Sequence, residues 1–149
     1  MNDSLMDIYR QRVLEHSRAP HNKRRLADAD REVTGFNPLC GDKLTVYLSL
    51  NEDTVRDVAF DGTGCAIAVA SASMMTDALK NESVANARDL IAGFNAMFSD
   101  GTLPQHDKLK ETQALENVRD YPSRIKCATL AWSAAEAALQ NDNLQVSTE

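Results

Sequence analysis

Apolar positions change period several times along this chain, and each change predicts an element. Leu5, Ile8, Tyr9, Val13 and Leu14 fall close to one helical face, and Asp3 and Ser4 offer capping oxygens, so the spacing predicts an amphipathic helix over about residues 3–16. Residues 18–30 lose the period and carry Pro20, Asn22 and the basic run Lys23-Arg24-Arg25, the pattern of an exposed connection. From Leu44 to Leu50 apolar and polar residues alternate, Asn51-Glu52-Asp53 can turn the chain, and residues 55–60 resume a strand-like pattern. An antiparallel hairpin follows, and Arg31 to Phe36 adds a third, more weakly patterned strand.

At Ala66 the character shifts to small and apolar residues with no breaker before Asn81, which predicts a buried helix. A second helix is expected over residues 84–98, ended by Ser99-Asp100-Gly101. Residues 102–111 read as a polar inserted loop and residues 113–118 as a short helical turn. Pro122 can open the long small-residue helix that runs to Leu139. The polar tail from about residue 141 is expected to fray. These elements describe one α+β domain over residues 1–149: an N-terminal helix, a small antiparallel sheet of about three strands, and a helical C-terminal half packed against it.

Charge narrows the partners. Asp and Glu number 22 against 16 Lys and Arg, a net charge of −6, so the chain lacks the positive footprint of a nucleic-acid binder. The start Met1-Asn2-Asp3-Ser4-Leu5 has no basic-then-apolar leader, and Ala66 to Ala70 is too short an apolar run to span a bilayer. A cytoplasmic protein with no membrane partner is expected. The basic run at residues 23–25 has two readings, a solvated loop or a contact for an acidic partner surface.

Three cysteines, an odd number, argue for reduced thiols rather than a disulfide framework. Cys40 lies in Asn37-Pro38-Leu39-Cys40-Gly41-Asp42, Cys65 follows Gly62-Thr63-Gly64, and Cys127 follows Pro122-Ser123-Arg124-Ile125-Lys126. Cys65 heads a helix, where unpaired N–H groups favour a thiolate, and Cys127 has Lys126 and Arg124 as neighbours, so both thiols are expected to be more acidic than usual. If the loops converge, three sulfurs and the Asp42 carboxylate could bind one metal. Soft thiolates suit both zinc and iron–sulfur chemistry, and each cysteine taken alone is more often a small buried hydrophobe than a site.

The motifs around the thiols, Asn37-Pro38-Leu39-Cys40-Gly41-Asp42, Phe60 to Ala68, Ala70 to Met75 and Arg124-Ile125-Lys126-Cys127-Ala128, together resemble the iron–sulfur cluster assembly proteins of the IscU/NifU N-terminal/SufU family. Ile8-Tyr9, Val13 to His16 and Pro20-His21-Asn22 are similar too, so the resemblance spans about residues 5–140. It implies an α+β domain with Cys40, Asp42, Cys65 and Cys127 gathered at one exposed end as metal ligands. It also implies a pyridoxal-phosphate cysteine desulfurase as sulfur donor and downstream assembly or acceptor proteins as recipients. Lys126 stands where the scaffold type carries histidine, a departure similar to the SufU type; its ammonium offers no lone pair to a metal. That branch implies zinc at rest and Cys40 as sulfur acceptor, with Cys127 next and Arg124 in support. The alternative is a scaffold holding a transient iron–sulfur cluster for apoproteins.

Two other classes compete. An independent cysteine or zinc hydrolase would need a base or an open metal position, and none of the three cysteine motifs contains histidine. A structural-zinc module would only tie the segments together. At most, the chain is expected to be a sulfurtransferase-type partner of a desulfurase. Of the histidines, His16 is expected to satisfy carbonyls at the end of the first helix, His21 lies in the next loop, and His106 in the inserted loop is the one given a remote route to the metal.

Overall fold

The computed structural model describes residues 3–140 and 145–147. In chain order these form α1 (Asp3–Arg18), β1 (Arg31–Asn37), β2 (Asp42–Asn51), β3 (Thr54–Thr63), α2 (Ala66–Leu79), α3 (Val84–Ser99), a 3₁₀ helix (Asp107–Asp120), α4 (Pro122–Leu139) and β4 (Gln145–Ser147). The sheet order is β3-β2-β1-β4, with β1, β2 and β3 antiparallel and the short β4 parallel to β1. Part of the tail expected to fray, residues 145–147, thus extends the sheet; residues 141–144 and 148–149 lie outside the described residues.

Side chains alternate faces along a strand, and this alternation builds both core and site. Val33, Gly35 and Asn37 of β1 and Asp42, Leu44, Val46 and Leu48 of β2 are all buried. Helices α2 and α4 pack against the sheet and against each other. Ala68, Ala72, Ala131, Ala134, Ala135 and Ala138 are buried and short enough to let the helices approach. A Cβ on Gly35 would come within 2.9 Å of Leu130 Cδ1, so this glycine admits α4 close to the sheet. Each fully buried Leu44, Val46 or Leu48 contributes about 1.5–3 kcal/mol through burial.

Several expectations shift. Helix α1 runs to Arg18, and its buried contact is not made by the full predicted face: Leu5, Ile8 and Leu14 are exposed, whereas Tyr9 and Val13 are half-buried and His16 is buried. The segment read as a loop and a short turn is one 3₁₀ helix over residues 107–120. Leu109, Thr112 and Leu115 are buried and recur every third residue, the period of a 3₁₀ rather than an α-helix. The basic run is partly tied down: Arg24 pairs with Asp57 at 3.0 Å, and Lys23 bridges Phe60 of β3. Among the described residues, no helix is long and apolar enough to cross a membrane.

Candidate metal and sulfur site

The register of the β1–β2 hairpin creates the site's polar floor. Asn37 pairs with Asp42 across the ladder, so the two core-facing rows end in a polar pair, 0 % and 2 % exposed. Asn37 Nδ2 donates to Asp42 Oδ2 at 3.1 Å and to Cys127 Sγ at 3.3 Å. Between these strands Pro38-Leu39-Cys40-Gly41 turns the chain. Cys40 N–H donates to the Asn37 carbonyl, and Gly41 takes φ +74°, a conformation that suits glycine. The turn leaves Cys40 exposed at its tip.

Strand β3 returns beside β2 and delivers the second thiol. Gly62, at φ +128°, lies against the Lys43 carbonyl, where a Cβ would sit 2.2 Å from the oxygen. A Cβ on Gly64 would come within 3.3 Å of Asp42 Oδ1, so the bare backbone here leaves space over the carboxylate. Cys65 N–H then donates to Asp42 Oδ1 at 2.8 Å, and its sulfur caps α2 by accepting Ala68 N–H at 3.5 Å. Helix α4 supplies the third thiol from its second turn, and Cys127 Sγ lies 3.3 Å from Cys40 Sγ.

The fold therefore brings together residues far apart in sequence. One ligand atom each from Cys40, Asp42 and Cys127 lies within 4.8 Å of the others. Cys65 stands beside this set, close enough to act on the Cys127 thiol by hydrogen bond and charge. Soft sulfurs with one carboxylate oxygen suit zinc, and the sulfurs alone suit iron–sulfur chemistry. The donor set and the open space over Asp42 fit a metal.

The expectation of an acidic Cys127 is reversed. Burial pushes its thiol well above the ordinary cysteine range, followed by hydrogen bonds with Cys40, Asp42 and Cys65. The cause is geometric: Cys127 is 0 % exposed and faces the core, whereas Arg124 is exposed on the first turn of α4. Among the described residues, the Arg124 guanidinium forms no hydrogen bond or ion pair with the thiols. His106 caps the 3₁₀ helix, its Nδ1 accepting Lys108 N–H at 3.1 Å. His16 does not serve the carbonyls at the end of α1; its ring turns inward to Ser73 of α2.

Asn37 was not singled out by the residue chemistry of the sequence. Its signal was period two: Val33, Gly35 and Asn37 share a face, so an amide there ends a buried row.

An α+β fold with a thiol–carboxylate cluster across a hairpin turn, a helix cap and a second helix defines the class. The chain belongs to the NifU-like N terminal domain family, whose model matches residues 8–96. It is 38 % identical over 141 residues to the zinc-dependent sulfurtransferase SufU of Bacillus subtilis (strain 168), covering 95 % of each chain. It is 39 % identical over 136 residues to the iron-sulfur cluster assembly scaffold protein IscU of Streptococcus pyogenes serotype M1, covering 91 % of this chain and 85 % of that protein. Among solved structures, the N-terminal part of a nitrogen-fixing NifU-like protein from Brucella abortus superposes with a TM-score of 0.81 at 28 % identity, over 90 % of this chain and 93 % of that one.

Proposed function

We propose that this chain is a cytoplasmic iron–sulfur cluster assembly protein that accepts sulfur on Cys40 from the persulfide of a pyridoxal-phosphate cysteine desulfurase and relays it to downstream assembly or acceptor proteins. Cys40, Asp42, Cys65 and Cys127 hold zinc at rest in this reading. The observation that carries it is the pairing of an exposed Cys40 sulfur, on a glycine-flanked turn, with a buried Cys127 sulfur 3.3 Å away beside a buried carboxylate. Of the two relatives, the name of the zinc-dependent sulfurtransferase supports sulfur transfer and that of the scaffold protein supports cluster assembly.

Bound zinc would keep its cysteine ligands as thiolates at neutral pH. Cys40 is the one exposed thiol of the three, so an incoming persulfide meets it first. Its thiolate attacks the terminal sulfur of the partner's persulfide. An S–S bond forms on Cys40, the partner's S–S bond breaks, and the electron pair leaves on the partner's cysteine thiolate, with no net oxidation. Asn37 holds Asp42 and Cys127 in place during this exchange, and the left-handed Gly41 lets the turn move. Arg124, exposed one turn before Cys127, supports the site through its positive charge.

A second reading has the same thiols hold a transient iron–sulfur cluster for delivery. Metal analysis of anaerobically purified, untagged protein separates the two. The relay reading expects about one zinc per chain at the thiols, weakened in Asp42→Ala, and a persulfide on Cys40 after incubation with desulfurase and cysteine. Iron with acid-labile sulfide would favour the scaffold, and no metal in either protein would remove the ligand assignment. A Cys40→Ser variant that unfolds would point to purely structural zinc.

A further inference from the structure

We propose a second divalent transition-metal site, built from His16, His21 and Asp77 at the opposite end of α2 from the thiols. Asp77 follows Cys65 by 12 positions along this helix, so the two sites stand about 18 Å apart along its axis. One ligand atom from each of the three residues lies within 4.8 Å of the other two. Two imidazoles and a carboxylate form a donor set for zinc, iron(II), nickel(II) or copper(II), with water completing the shell.

The chain positions these groups from both sides. His16 is 3 % exposed, and its Nδ1 meets Ser73 Oγ at 2.6 Å, a partner that orients the ring. Ser73 Oγ also accepts the His21 backbone N–H at 2.7 Å. The next residue, Asn22, takes φ +58°, and its carbonyl accepts Phe60 N–H at 3.0 Å, which pins the turn carrying His21 against β3. Asn22 Nδ2 donates to Thr76 Oγ1 at 2.9 Å and reaches Asp77 Oδ1 at 3.4 Å, so the carboxylate is oriented as well. The His16 and His21 rings sit 4.5 Å apart, centroid to centroid.

The side chains of His21 and Asp77 are about half exposed, 49 % and 46 %, which gives an ion an entry path to a cluster whose third member is buried. His21 Nδ1 and Asp77 Oδ2 now share a hydrogen bond at 2.5 Å. Ligands about 2.1 Å from a tetrahedral ion stand roughly 3.4 Å apart, so binding opens this contact by about an ångström, within reach of two exposed side chains. Glu111 Oε2 lies 3.5 Å from His16 Nε2, and its Oε1 accepts Arg12 Nε at 2.9 Å, which ties this carboxylate to α1 beside the cluster.

The test uses the full chain. Wild type, His21→Ala and Asp77→Asn are equilibrated with zinc, freed of excess by gel filtration, and analysed for metal per chain. Wild type is expected to retain one equivalent more than either variant. This difference does not depend on how much zinc the thiols hold, so it survives failure of the zinc reading of the thiol site. Repeated with cobalt(II), the extra equivalent is expected to show no sulfur-to-cobalt charge-transfer absorption. Equal metal in all three proteins, or an extra equivalent that carries the thiolate band, would overturn the site. Imidazole resonances of His16 and His21 in wild type provide a readout independent of the variants' folding: they shift on adding zinc if the site exists and stay fixed if it does not.

Discussion

Replacing Ser71 with alanine tests how α2 and α4 are held in register behind the thiols. Ser71 is fully buried; its hydroxyl donates to the Ala128 carbonyl at 2.5 Å and accepts Trp132 Nε1–H at 2.9 Å. Trp132 is itself fully buried and stacked on Phe94 at 4.1 Å, so its indole N–H cannot turn to water. In Ser71→Ala this stranded donor costs about 1–3 kcal/mol and the lost bond to Ala128 about 0.5–1.5 kcal/mol, for a total of about 2–4 kcal/mol. In a chain of this size each kcal/mol moves Tm by about 2–4 °C, so the expected fall is on the order of 10 °C. The decisive assay is a double-mutant cycle by urea unfolding of metal-free protein. With Trp132→Phe no donor remains to be stranded, so Ser71→Ala should then cost only the bond to Ala128, a coupling of about 1–3 kcal/mol. Equal costs in both backgrounds would refute the reasoning. Because Ala128 adjoins Cys127 and Ser71 shares α2 with the Cys65 cap, the same substitution should lower metal retention at the thiols.

Asn37→Ala removes the amide that joins Asp42 to Cys127, and metal retention is expected to drop while the chain stays folded; unchanged retention in a competition with a chelator would deny Asn37 its positioning role. Gly62→Ala forces a Cβ into the Lys43 carbonyl at φ +128°, and a loss of about 2 kcal/mol or more is expected in chemical denaturation. His16 is held below its unfolded value of 6.5, so in the window below 6.5 the unfolded chain binds more protons and stability falls as pH drops through the native value. His16→Gln should flatten that slope in chelator-treated protein, and parallel wild-type and variant profiles between pH 7 and 5 would exclude the linkage.

How much was legible depended on whether local pattern or distant contact set each feature. Alternation around Val46 and the turn at residues 51–53 announced the β2–β3 hairpin, and the breaker-free run from Ala66 announced α2, because period and turn chemistry act within a few residues. Of the 3₁₀ helix only the turn at residues 113–118 was legible, since burial of Leu109, Thr112 and Leu115 against neighbouring helices overrode a polar composition. The parallel pairing of β4 with β1 was equally invisible, because strand partners distant in sequence leave no local period. At the site, the sequence by itself determined which candidate donors the chain offers, three thiols and Asp42, each beside a turn or a helix start. Only the tertiary structure decided their states. It brought Cys127 from α4 to within 3.3 Å of Cys40 across 87 positions of chain, set Asn37 as common donor to Asp42 and Cys127, and buried Cys127, reversing the acidity that neighbouring Lys126 and Arg124 had suggested. The physical reason is that a thiol's charge depends on solvent and on spatial neighbours, and for Cys127 the fold supplies burial first, then Cys40, Asp42 and Cys65.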